Sequence, residues 1–123
     1  MADNILPSLI LLTYKGKALL MNKKNSAIDN ESHPWCFIGA VSEKNEPIEK
    51  AVTRRVQKET GIKIENIQHI SELAYHASLT DDNVNEIKRS ENQLLDFFNP
   101  NEVRKLLLTR ATEALFNKHL ALI

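Results

Sequence analysis

The apolar positions of this 123-residue chain change their period along its length, and each change marks an element. Ile5 to Thr13 is an apolar run broken only by Pro7 and Ser8, Lys17 to Met21 is a second, and Tyr14-Lys15-Gly16 between them supplies a turn. The pair predicts an antiparallel hairpin, with Pro7 near its start, where a missing N–H is tolerated. Asn22 to Pro34 is polar and aperiodic and predicts a loop, longer than compact domains usually carry. Trp35 to Ile38 predicts a short strand leading into Gly39.

From Pro47 the period becomes helical, with Ile48, Ala51, Val52 and Val56 three and four apart. Pro47 suits the first helical position, and Gly61 followed by Ile62 suits a left-handed stop. On a helical wheel of about 100° per residue, Ile48, Val52, Arg55 and Glu59 share a narrow arc flanked by Ala51 and Val56, while Arg54, Gln57 and Thr60 point elsewhere. Two charges on a sheet-facing arc are costly to desolvate unless they pair or line a wet cleft. Arg55 and Glu59, four apart, can meet as an ion pair that fixes the helix. Alternatively, Glu59 with Glu43 or Glu46 and with Glu91 makes a carboxylate pocket for a divalent cation.

Ile62 to Ala77 predicts a short strand, a turn at Glu65-Asn66 and a strand through Ile67, Ile70, Leu73 and Tyr75, with a helix over Ile67 to Tyr75 as the competing reading. Asp81 to Glu91 predicts a polar loop with at most one helical turn at Asn83 to Ile87. Gln93 to Phe98 is a further strand, ended by Asn99-Pro100, and Asn99 can cap a helix running through Val103 to Leu107. Thr109 can cap the last helix, whose Ala111, Ala114, Leu115, His119 and Leu122 fall on one face. The fold class expected is α+β, a mixed sheet with helices on both sides, forming one domain over residues 1–123.

Sixteen basic and sixteen acidic residues balance, so no net field argues for a nucleic acid or an anionic membrane as partner. Cys36 cannot form an internal disulfide, and between Trp35 and Phe37 it reads as a core thiol in a reducing compartment. The Leu9 to Leu12 cluster is far shorter than a membrane span and no basic leader precedes it, so a cytoplasmic protein is expected. His33, His69, His76 and His119 show no local metal spacing, and Asp81-Asp82 lacks the spaced oxygens of a calcium loop.

Trp35 to Ile62, WCFIGAVSEKNEPIEKAVTRRVQKETGI, resembles the Nudix box, G-x5-E-x7-R-E-U-x-E-E-x-G-U with U apolar. Anchored on Gly61, the register puts Val56 and Ile62 on the U positions, Glu59 on the last Glu, Arg54 on the Arg and Glu46 on the first Glu. Trp35, Phe37 and Gly39 match the W-x-F-P-G run that precedes many such boxes, and Leu95-Asp96-Phe97-Phe98 followed by Asn101-Glu102-Val103 resembles the family's late strand and helix. The resemblance implies an α/β/α sandwich of the Nudix type. It also implies hydrolysis of nucleoside diphosphate derivatives, with magnesium or manganese held by box glutamates.

Three departures fall on the chemistry. The first box glycine is Ala40, the Glu after the arginine is Arg55, and the first Glu of the closing pair is Lys58. Two carboxylates have become two cations, a swing of about four charge units where the family attracts divalent metal. By the resemblance, Glu59, Glu46 and Glu91 are the surviving catalytic acids, and Glu59 with the Gly39 carbonyl is a weakened metal site. Gly39, Ala40, Glu43, Arg54 and Gly61 are the structural frame of the box. Arg55 and Lys58 would bind phosphate in place of metal, leaving a nucleotide or other diphosphate-containing small molecule as partner, or a protein, with or without catalysis. Ile67 to Gln93 looks short for the further hairpin that the family carries. The oligomeric state is left open, a homodimer included.

Overall fold

The computed structural model describes residues 7–23, 34–89 and 93–123. Five strands form the sheet path β4-β5-β1-β2-β6, and β3 pairs with β1 beside it. The strands are β1 (Ser8–Tyr14), β2 (Lys17–Lys23), β3 (Ile38–Ala40), β4 (Gln68–Ser71), β5 (Ala74–Ser78) and β6 (Gln93–Phe98). The helices are α1 (Ile48–Thr60), α2 (Asp81–Asn85), α3 (Pro100–Val103) and α4 (Arg110–Lys118), the last followed by a 3-10 turn, Leu120–Leu122.

The predicted hairpin forms, with β1 and β2 antiparallel at Thr13↔Ala18 and Tyr14↔Lys17. Lys15 and Gly16 turn it, both at positive φ. Away from the turn the two strands part company, and the chain from Cys36 to Ala40 takes a partner on each: Cys36 bridges Met21, while Ile38, Gly39 and Ala40 pair with Ile10, Leu9 and Ser8. The predicted strand at Trp35 to Ile38 therefore lies later, at Ile38–Ala40, with bridges at Trp35 and Cys36 before it. A Cβ at position 39 would stand 3.0 Å from the Leu9 Cδ2 atom, so glycine lets that side chain pack close against the strand. The parallel pairing of β1 with β5 completes a mixed sheet.

Alternation along the strands sends side chains to two cores. On one face Ile10, Leu12, Leu19, Ile38 and Tyr75 pack with Ala51, Val52 and Val56 of α1. On the other, Leu11, Ala18, Leu20, Phe37 and Ala74 pack with Val103 of α3 and Leu115 and Phe116 of α4. Helices thus cover both faces of a mixed sheet, the α/β/α sandwich expected.

Several local expectations need correction. Ile67 to Tyr75 is neither one strand nor a helix but a hairpin, β4 to β5, turned at Glu72-Leu73 with Leu73 at φ 63°. The room for a hairpin that seemed missing is therefore present. Asp81 to Glu91 starts with α2, where Thr80 and Asn83 form a reciprocal cap. Asn99 caps α3 as expected, but the helix stops at Val103. Thr109 caps α4, whose buried residues are Thr112, Leu115 and Phe116, whereas Ala111 and Ala114 are exposed. Pro47 is the cap of α1 and not its first residue.

Candidate functional site

Helix α1 and the loop before it build the site. The helix buries Ala51, Val52, Val56 and Thr60. Thr60, expected to point away, is held inside because its hydroxyl donates to the Val56 carbonyl and accepts from the Ile62 amide. Gly61 ends the helix at φ 85°, and its N–H returns to the Gln57 carbonyl.

Arg55 and Glu59 meet one helical turn apart, with Arg55 Nη2 at 2.7 Å from Glu59 Oε2. The pair is graded in depth: the Glu59 side chain is 8% exposed and that of Arg55 30%. Among the described residues the buried Nε of Arg55 has no hydrogen-bond partner. Gln93 donates its side-chain amide to the Glu59 carbonyl and ties the start of β6 to the helix.

Arg54 does different work. Its Nε and Nη2 each donate at 3.0 Å to the two oxygens of Glu46, and the Glu43 amide donates to Glu46 Oε1 at 2.9 Å. Glu43 itself lies 3.7 Å from Arg54 Nη1. The carboxyl of Glu46 is held below the usual carboxylate range, first by the Arg54 hydrogen bonds and then by the Glu43 amide. Arg54 therefore fastens the loop to the helix, and Glu46 is its counter-ion.

These groups border a hollow of about 340 Å³ lined by Pro7, Gly39, Ala40, Val41, Glu43, Arg54 and Arg55. Gly39, Ala40, Glu43, Arg54 and Arg55, named from sequence, are brought together there. Lys58 is exposed on α1 and is not part of that wall, and Glu91 lies outside the described residues. Pro7 and Val41 were missed, since only the folded chain brings Pro7 beside Gly39. Among the described residues no three His, Cys, Asp or Glu side chains are placed to hold a metal ion.

Two further polar pairs sit on the α4 side of the sheet. His76 Nε2 and Thr13 Oγ1 share a hydrogen bond of 2.9 Å, and His119 Nε2 shares one of 2.9 Å with Ser71 Oγ. Burial, then the charge of His119, pushes the His76 imidazole below its ordinary value. Cys36, expected in the core, is half-buried against it, with Sγ 3.6 Å from the Met21 carbonyl. No described helix is long and apolar enough to cross a membrane.

The model of the NUDIX domain family matches residues 7–117. No curated protein sequence matches the chain. Among solved structures, the chain is similar to a mutT/nudix family protein from Listeria innocua, with a TM-score of 0.75 and 16% identity over 99% of this chain and 95% of that one. It is similar to the E. coli ORF135 protein, with a TM-score of 0.69 and 22% identity over 96% of this chain and 89% of that one. A MutT protein from Methanosarcina mazei Go1 gives a TM-score of 0.68 and 17% identity over 93% and 91%. At these identities the likeness is one of fold.

Proposed function

The chain belongs to the Nudix family, and from that premise we propose that it binds the phosphate of a nucleotide or other diphosphate-containing small molecule through Arg55, with metal-dependent hydrolysis impaired or lost. One observation carries this reading: Arg55 stands 2.7 Å from Glu59, so the surviving helix carboxylate of the box is already neutralised by a fixed cation. Nudix hydrolases use divalent metals, but the described residues do not fit one. Glu59 faces Arg55, Glu46 is gripped by Arg54, and no group of three suitable donors exists among the described residues. A cation entering beside Arg55 would meet repulsion before it met a ligand.

What the arrangement offers instead is a guanidinium at the edge of a hollow. Its planar fork suits a phosphate, and its Nε still lacks a partner among the described residues. Arg54, engaged by Glu46, acts as a positioning residue for the loop that walls the hollow. Lys58 would add charge from the exposed side of the helix. Gly39 and Ala40 shape the wall, whereas Gly61 ends the helix beside Glu86 and Lys88 and takes no part in it. A bound phosphate would displace or share the Glu59 contact, since both use the same guanidinium.

The alternative is residual hydrolysis with magnesium or manganese, in which Glu59, Glu46 and Glu91 serve as acids. Two measurements separate the readings. Calorimetry with inorganic diphosphate and nucleotides in chelator should show saturable binding that Arg55→Ala removes, and the absence of binding would sink the proposal. Phosphate release from the same nucleotides with magnesium or manganese should stay at background; enzyme-like turnover lost on Glu59→Gln would establish the alternative.

A further inference from the structure

The arginine hollow adjoins a second one, of about 400 Å³, through a shared wall of Ala40 and Val41. The remaining lining is Ser8, Ser42, Ile48, Leu73 and Tyr75, which includes no formal charge. Val41 is 42% exposed and Leu73 40%, large apolar side chains left in water on the rim of this one hollow. Leu73 is doubly unfavourable there. Its φ of 63° lies in the left-handed region, where glycine or asparagine would cost less. The β4–β5 turn and the bond that the Leu73 carbonyl accepts from the Leu9 amide fix that backbone, and the side chain thereby held in water beside Val41 forms an apolar rim that a hydrocarbon group would cover.

We infer that the ligand is a phosphate or diphosphate ester of an apolar alcohol, its phosphate on Arg55 and its hydrocarbon group lying across Ala40 and Val41 into the hollow bordered by Leu73. This rests on the phosphate-binding reading of Arg55. The Arg55 guanidinium, in a hollow that also holds Arg54 and the Glu43 carboxylate, takes one end, and the uncharged, mostly apolar wall fixes the chemistry of the other. A polar headgroup or a base rich in hydrogen-bonding edges would find no side-chain partner there beyond the hydroxyls of Ser8, Ser42 and Tyr75. The other apolar hollow nearby, bounded by Pro7, Leu73 and Ala111, carries Glu72 and Lys118 at its rim and shares only Pro7 with the arginines.

The test is calorimetry in chelator with inorganic phosphate, methyl, butyl and hexyl phosphate, and a nucleoside monophosphate. Affinity should rise by about fourfold for each methylene that becomes buried, until the chain outgrows the hollow. Leu73→Gly, which suits the backbone and keeps the fold, should flatten that dependence, and Leu73→Asn should do the same. A phosphate that binds with no gain from the alkyl chain overturns this inference and leaves the role of Arg55 standing. A gain that survives both substitutions overturns the assignment to this hollow, and a nucleoside monophosphate that binds more tightly than hexyl phosphate overturns the apolar class. Failure of every phosphate to bind overturns the role of Arg55 and this inference with it.

Discussion

Arg54 reaches back eight residues to grip both oxygens of Glu46, while Arg55 beside it reaches forward four to Glu59. Adjacent arginines on one helix point about 100° apart, and this difference gives them different tasks. One closes a loop; the other stands over a hollow. The following experiments separate those tasks.

Arg54→Ala should loosen the loop from Val41 to Pro47 without unfolding the chain, because the side chain is 41% exposed and the core of α1 is untouched. Hydrogen exchange at the Glu43 amide, which donates to Glu46, should accelerate in the variant. The clamp should also respond to acid. The folded-state pKa of Glu46 is lowered, so its contribution is complete above its ordinary value of 4.5 and is lost as the pH falls through the lower folded value. Protection of the Glu43 amide, taken relative to the intrinsic exchange rate at each pH, that does not fall across this range would refute the role given to Glu46.

Arg55→Met should destabilise the fold by about 1–3 kcal/mol, between the values typical of exposed and buried ion pairs, because Glu59 is nearly buried and loses its cation. The double variant Arg55→Met, Glu59→Met should recover much of the loss. Chemical denaturation of both variants measures this. A double variant no more stable than Arg55→Met would show that the pair is not the cause.

Glu43→Gln should tighten phosphate binding about two- to threefold at low salt, since its carboxylate lines the same hollow as Arg55 and repels an anion across several ångströms of water. The gain should fade as salt is added. Calorimetry with inorganic diphosphate reads both effects.

Restoring the box with Arg55→Glu and Lys58→Glu should raise manganese binding above that of the natural chain, at a cost to stability from crowding carboxylates around Glu59. Electron paramagnetic resonance of free manganese measures the uptake directly. Phosphate release from nucleotides then tells whether the rest of the scaffold still supports turnover.

His76 should make stability fall with acid near neutrality. Burial lowers its folded-state pKa beneath the ordinary 6.5, so the neutral ring's contribution is complete above that value and declines as the pH falls below it. Unfolding midpoints of the natural chain and of His76→Gln should converge toward acid, where the advantage of the neutral ring is gone. Proton NMR titration of the ring should give a value below that of an exposed histidine.

Much of the fold is legible in the spacing of residues along the chain. The three- and four-residue spacing of Ile48, Ala51, Val52 and Val56 fixed α1, and Asn99 and Thr109 announced their helices through hydrogen bonds made within a single turn. The meeting of Arg55 with Glu59 followed from helical geometry alone. What stayed hidden depended on distant chain. The β4–β5 turn was missed because Leu73 holds a left-handed conformation that leucine rarely adopts, leaving no turn residue to read. Thr60 looked outward on the wheel, yet its hydroxyl satisfies backbone groups at the helix end. On α4 only part of the apolar stripe is packed: Leu115 is buried together with Phe116, one position off the stripe, whereas Ala111 and Ala114 are exposed.

The backbone around the box strand ends at partners made late in synthesis. Trp35 donates its amide to Leu107 and accepts one from Thr109, and the Phe37 amide donates to Thr112, 75 positions further along the chain. A growing polypeptide has already formed the sequence of α1 long before these partners exist. A stall or truncation ahead of Thr109 therefore leaves the segment that leads into the box strand without the bonds from Thr109 and to Thr112. The strand that borders the arginines is completed from the far end of the sequence.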